Sequence, residues 1–209
     1  MAIEFNNATD GWANSSFSHT VGNGSNRLLV AMLRGGTQSN QETVSATYNG
    51  VSMTKIGSVQ IPGDRWLHLF YLLNPDTGTH TISFSDNYGV NRTACASYFG
   101  VKQSGQPDAY AINTANGTTS FSCSLTTNAD NAWLIGIGSS VNNIPSAGSN
   151  TIIRVNTNAT TISDSNSAQT PPGSHSLNWN IANSDNWAAI IASFAPAITA
   201  VGKSQGHIF

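Results

Sequence analysis

The chain has 209 residues, a net charge of −2 and a charged fraction of only 9%, against roughly 25% in an ordinary soluble domain. So few scattered acids, bases and histidines weigh against a catalyst, which needs titratable groups converging on one site. The eight Lys and Arg residues lie far apart in sequence, giving no basic stripe for nucleic acid and no polybasic membrane patch.

In chain order the apolar segments are short, alternating or β-branched, and bounded by Gly, Asn, Asp or Pro. Ile3-Glu-Phe opens a first strand and Ser16 to Val21 a second. Arg27-Leu-Leu-Val-Ala-Met-Leu is nearly continuous, as suits a central strand covered on both faces. Val44 to Tyr48 and Val51 to Lys55 flank Asn49-Gly50, the residue pair that best tolerates the two positive φ angles of a tight hairpin. Trp66 to Leu73 runs into the stop Asn74-Pro75-Asp76-Thr-Gly78. Thr79 to Phe84 and Thr93 to Phe99 follow, then Phe121 to Leu125, Ala132 to Ile137, Thr151 to Val155, His175 to Ile181 and Ala188 to Phe194. Turn signals with no helical spacer predict an all-β, single-domain antiparallel β-sandwich, jelly-roll-like, with two sheets face to face.

The apolar fraction of 39% is spread evenly and no linker divides the chain, so one domain is expected over 1–197, followed by an arm or tail over 198–209. The start, Met1-Ala-Ile-Glu-Phe, lacks the basic and apolar regions of a secretory signal, and no apolar run approaches the ~20 residues of a membrane helix. Synthesis in a cytoplasm without membrane insertion is the expectation. Cys95 and Cys123 could pair on paper, but without an export signal they are expected buried and reduced.

The chemistry-bearing residues give little. His19, His68, His80, His175 and His207 show no metal-ligand spacing. His68, on one strand face with Trp66 and Phe70, reads as a hydrogen-bonded structural histidine. No Gly-x-Ser-x-Gly elbow occurs, and the only glutamates, Glu4 and Glu42, have nothing to bring them together. Asp86-Asn87, Asp130-Asn131, Asp164-Ser-Asn166 and Asp185-Asn186 carry calcium-type oxygens without a calcium-loop pattern, so Asx turns are expected. Sequons at Asn7, Asn14, Asn23, Asn91, Asn116 and Asn158 are expected to be unmodified. No enzyme, metal or cofactor is implied.

Two features invite a binding reading. Asn128-Ala-Asp-Asn-Ala-Trp133 and Asn183-Ser-Asp-Asn-Trp187 each set a polar turn ahead of a Trp that leads into an apolar strand. Trp133, Trp187, Asp130, Asn131, Asp185 and Asn186 are thus candidate glycan-binding residues. The same pattern also fits strand entries in which Asx side chains cap the turn and Trp seals the sheet end, and this is the preferred reading. In a carbohydrate-binding module Trp12, Trp66 and Trp179 could also stack on sugar rings, Trp179 being the weakest candidate because it alternates with Leu177 and Ile181 as a core residue. At the C-terminal end, Ile208 and Phe209 make a candidate assembly arm that fills a neighbour's pocket or pairs with a sheet edge.

The order Gly24-Ser-Asn-Arg-Leu-Leu-Val30, Val44 to Gly57, Phe70 to Thr81, Ala96 to Val101 with Pro107-Asp108, and Trp187 to Ala197 resembles a β-sandwich module. That module occurs in phage virion proteins and in large bacterial surface proteins. The resemblance implies a jelly-roll-like unit for display, adhesion or capsid and tail decoration, with no catalytic residues to carry over. The expectation is a non-enzymatic virion protein on the particle exterior, whose partners are copies of itself, other virion proteins and host-surface glycans. The alternative is an extracellular or cell-surface carbohydrate-binding or adhesion module.

Overall fold

The computed structural model describes residues 1–37, 43–86 and 89–198. Among them there are fifteen strands and no helix. The first nine are β1 (Glu4–Trp12), β2 (Ser16–Val21), β3 (Leu28–Gly35), β4 (Ser45–Tyr48), β5 (Val51–Ser52), β6 (Thr54–Gln60), β7 (Trp66–Leu73), β8 (Gly78–Ser85) and β9 (Val90–Phe99). The other six are β10 (Ala109–Thr126), β11 (Trp133–Ser140), β12 (Ser146–Ala147), β13 (Ile152–Thr157), β14 (Thr160–Asp164) and β15 (Ser174–Phe194).

Local chemistry sets the turns. Asn49 and Gly50 take φ of 49° and 77° between β4 and β5, where Tyr48 pairs with Val51, the hairpin the sequence predicts. Asn74 and Gly78, at φ 48° and 96°, close β7 and open β8.

All pairings are antiparallel, in three sheets rather than two. A five-stranded sheet runs β1-β9-β3-β7-β6 and a four-stranded sheet β2-β8-β4-β5. The third runs β10-β15-β11-β14-β13, with β12 beside β15. The reason is burial. Every residue of β3, β11 and β14 is buried, so the sheets that hold them need a cover on both faces. Val21, Ala46, Tyr48, Ile82 and Phe84 cover one face of β3, packing on Leu29, Ala31, Leu33 and Phe70. On the outer face of β11 the cover is the far half of the β10–β15 ribbon. The ribbon bends where its register shifts between Ala115 and Ser120, and it lays Phe121, Leu177 and Trp179 over Leu134 and Ile191. Phe121 stacks on Trp179 at 5.2 Å and on Trp187 at 4.8 Å. Gly138 makes room: a Cβ there would sit 2.7 Å from the Trp179 ring.

The two halves repeat one topology. In the first, β1-β9-β3-β7-β6 faces β2-β8-β4. In the second, the near parts of β10 and β15 with β11, β14 and β13 retrace the larger sheet, and the far parts with β12 retrace the smaller one. Matched positions agree in detail. Asn26 and Asn131, each two residues before its apolar strand, take φ of 56° and 58°. Ser97 Oγ donates to Asn6 Oδ1 (2.9 Å), and Ser193 Oγ donates to Asp108 Oδ2 (3.2 Å). These two side chains in turn accept from backbone N–H groups just beyond β2 and β10, at Gly22 and Asn128.

The halves pack through their larger sheets. β1 lies against β13 and β6 against β10, the exchange that a two-fold relation demands. At the centre Val101 pairs with Pro196, with Lys102 N donating to the Ala195 carbonyl (2.9 Å) and Ala197 N to that of Gly100 (2.7 Å). Between the sheets lies one core of Leu28, Val30, Met32, Leu69, Ile135, Ile137, Ile162, Ile190 and Phe194, among others. The result is one all-β sandwich-like body, compatible with a jelly roll and built twice over.

Candidate functional site

Charge is scarce, and much of what exists sits in the seam between the halves. Arg34, 4% exposed, is ion-paired with Asp64 and donates to the carbonyls of Ser140 (3.1 Å) and Val141 (3.3 Å) across the seam. Burial pulls its guanidinium below the usual value, and Asp64 opposes that shift. On the other side Arg154 grips Asp164 with two hydrogen bonds, Nε to Oδ2 (2.6 Å) and Nη2 to Oδ1 (3.0 Å). Tyr98 of the first half donates to the same carboxylate (3.0 Å), and the guanidinium lies 4.3 Å over the Phe5 ring. Asp164 is therefore a buried strand residue in an ion pair, and its Oδ1 also accepts from Asn166 N (2.8 Å), the Asx turn expected at Asp164-Ser-Asn166.

The buried histidines are also committed. His19 is held by Thr9 Oγ1 (2.8 Å) and Ser97 Oγ (3.1 Å), and His68 by Ser58 Oγ (2.7 Å). Burial pushes both imidazoles down to about 4. Cys95 and Cys123 are free thiols, buried on different cores, with both pKa values raised by burial. Among the described residues no group of three or more His, Cys, Asp or Glu is placed to hold a metal ion.

The candidate glycan residues do not converge. Trp133 pairs with Phe194 and Trp187 with Ser140, so the two indoles start from opposite ends of the β11–β15 pair, about 24 Å apart at the strand rise. Trp133 is 7% exposed and edge-on to Tyr98, and Trp187 is 4% exposed beneath Phe121. Neither ring offers solvent a face for stacking on a sugar. Asp130 accepts from the next residue's backbone, Asn131 N (3.0 Å), at the mouth of β11. Asp185 Oδ2 accepts from the backbone of Asn142 (2.7 Å) and Asn143 (3.2 Å) and from the Asn143 side chain (3.0 Å). Burial would raise its pKa, but these bonds and one from Asn186 N hold it below the usual carboxylate range. Asn186 donates to the Pro62 carbonyl (2.9 Å) and accepts from Gly117 N (3.2 Å), tying the halves together. These polar residues fasten loops. Trp179 is a fully buried core residue, as its alternation predicts, and donates to Ser163 Oγ at 3.0 Å.

Beside Trp133 lies a largely apolar cleft of about 450 Å³, lined by Met1, Ile3, Asn131, Ala168 and Pro196 among others. The chain leaves it at Ile198, which is 88% exposed. Ile208 and Phe209 lie outside the described residues.

A different tryptophan is displayed. Trp12 ends β1 at 52% exposure with φ of 54°, an unusual conformation for so bulky a residue. The turn fixes it. Trp12 N donates to Asp10 Oδ1 (2.7 Å), Thr93 Oγ1 donates to the carbonyls of Trp12 (3.3 Å) and Asn14 (2.8 Å), and Gly11 lies where a Cβ would strike Phe17. Arg92 stacks on the indole with its guanidinium carbon 4.4 Å from the ring centroid. No carboxylate pairs with Arg92 among the described residues, and its nearest charged neighbours include Arg34, opposite it on β3. The sequence offers Trp12 as one of five tryptophans that could stack on sugar rings and does not single it out, because the left-handed turn and the partner 80 positions along the chain leave no local signal.

Comparison with known proteins adds no relative: no family model matches the chain, and no curated protein matches it.

Proposed function

We propose that the chain is a non-enzymatic structural and display protein of the phage-virion type, acting through association of its subunits on a particle exterior. The observation that carries this reading is the destination of its scarce buried chemistry. Arg34, Asp64, Arg154, Asp164, Asp108, His19 and His68 are each bonded within the scaffold, a structural use of groups that a catalyst would direct at a substrate. The jelly-roll-like topology supports it by analogy, since viral capsid and lectin domains share that architecture. A contact surface is also available: Tyr110 and Ile112, 56% and 41% exposed, lie two residues apart on β10, an edge strand of its sheet. Association through this face and through residues 198–209 would build a symmetric assembly from copies of itself and other virion proteins.

Light scattering after size exclusion tests this on the full chain and on a form ended at Ala197. A defined oligomer that falls to monomer on truncation is the expected result. Monomers in both forms would overturn subunit association.

A further inference from the structure

We propose that the end of the first half around Trp12 and Arg92 binds a carboxylate-bearing saccharide, with Trp12 stacking on a sugar ring and Arg92 receiving the acid group. This goes beyond the assembly reading and stands without it.

The two-fold repeat supplies an internal control. With the halves aligned on Ser97 and Ser193, Arg34 matches Ser139, Arg92 matches Ala188, and Trp12 falls opposite the position of Asn113. The second half builds the same sheet with two small residues and an amide there. The sheet therefore does not require a tryptophan and Arg92 at this end, whereas Arg34 is accounted for by its bonds across the seam. The sheet also does not require the left-handed backbone at Trp12, a strain that persists only where its surroundings enforce it and that clusters at ligand sites.

What the cluster offers is specific. Arg92 is a half-buried cation without an anionic partner among the described residues, whereas Arg34, Arg65 and Arg154 each reach a carboxylate and Arg27 is bonded to the Pro75 and Gly24 carbonyls and to Asn74. Arg65, with its side chain 42% exposed, adds positive charge nearby and shares Asp64 with Arg34. An arginine fork matches a carboxylate, and its central carbon already lies 4.4 Å over the Trp12 ring. The indole, half exposed and locked by its turn, is a preformed platform for the C–H face of a sugar. Ala13, the next residue, lines an open polar cleft of about 520 Å³ with Ser15, Ser85, Asp86 and Gly89. Hydroxyls suit such a wall. A second carboxylate there would be repelled by Asp86, which places the ligand's acid over Arg92.

Calorimetric titration of the full chain tests the proposal with a panel of glucuronate-, galacturonate- and sialic-acid-bearing tetrasaccharides, with cellotetraose and inorganic phosphate as controls. At least one acidic sugar is expected to bind about tenfold or more tighter than cellotetraose, with phosphate silent. Arg92→Gln should weaken that binding about tenfold and Trp12→Gly at least as much. Trp12→Gly should do so without lowering Tm, because glycine adopts positive φ freely, and unchanged Tm separates lost binding from lost fold. Binding of no panel member would overturn the proposal, as would equal affinity for cellotetraose or full affinity in Trp12→Gly. None of these outcomes bears on the oligomer mass, so this site and the assembly reading fail separately.

Discussion

Acidification from neutral pH to about pH 4 should cost the folded protein about 6 kcal/mol through two histidines alone, about 3 kcal/mol each. His19 and His68 are 1% and 0% exposed and sit at about 4, below the ordinary 6.5. Desolvation of the charged ring is the main cause in both, and at His68 Lys55 lowers it further while Asp86 opposes. Because each folded value is depressed, the unfolded chain binds more protons between about 4 and 6.5. The stabilisation is therefore whole above about 6.5 and is lost as pH falls toward about 4. Below that, the folded rings protonate too and no more is lost. Urea unfolding across this range should show the decline in the wild type and a much flatter curve in a His19→Gln/His68→Gln variant. Parallel curves would show that neither imidazole is buried neutral.

Asp164→Ala should destabilise the protein by about 3–5 kcal/mol, the cost of leaving a largely desolvated charge without its partner. The Asp164 side chain is fully buried, and it accepts from both Arg154 and Tyr98. Its loss strands a guanidinium whose side chain is 15% exposed and a buried hydroxyl, both at the seam. Replacing both ions, as Arg154→Leu/Asp164→Leu, should recover most of the loss, because two apolar residues leave no unpaired charge. Urea midpoints of the three proteins check this, and a single variant within about 1 kcal/mol of wild type would mean that the pair is solvated.

Much of the first half was legible because its strands obey hydropathy. Arg27 to Leu33 announced a strand covered twice, and β3 is one. Asn49-Gly50 announced its turn. The second half shows its apolar strands equally well but hides β14 in polar residues. Thr160, Thr161, Ser163 and Asp164 are all buried in β14, satisfied by Ser139, Gly138, Trp179 and Arg154, and no hydropathy pattern marks such a core. The near half of β10, rich in Asn, Thr and Ala, reads as loop yet pairs with β15 along 109–115. Asn183-Ser-Asp-Asn186 looked like a turn between two strands, but β15 continues through it as a bend in the ribbon. The duplication escaped for a related reason. The halves share backbone demands, such as the left-handed Asn26 and Asn131, and few side chains. The candidate glycan residues were chosen by local echo, and an echo of turn chemistry yields loop caps. Display of Trp12 depends on Arg92 and Thr93 far along the chain, a contact that only folding creates.

The two equivalent halves share one core and form one cooperative body. Native-state hydrogen exchange in rising urea tests this most directly, by comparing amides of β3 with amides of β11. Both central strands should exchange only through the same global opening, with one free energy and one urea dependence. If β11 opens at lower free energy while β3 stays protected, or the reverse, the halves are independent sandwiches and the shared core does not govern the fold.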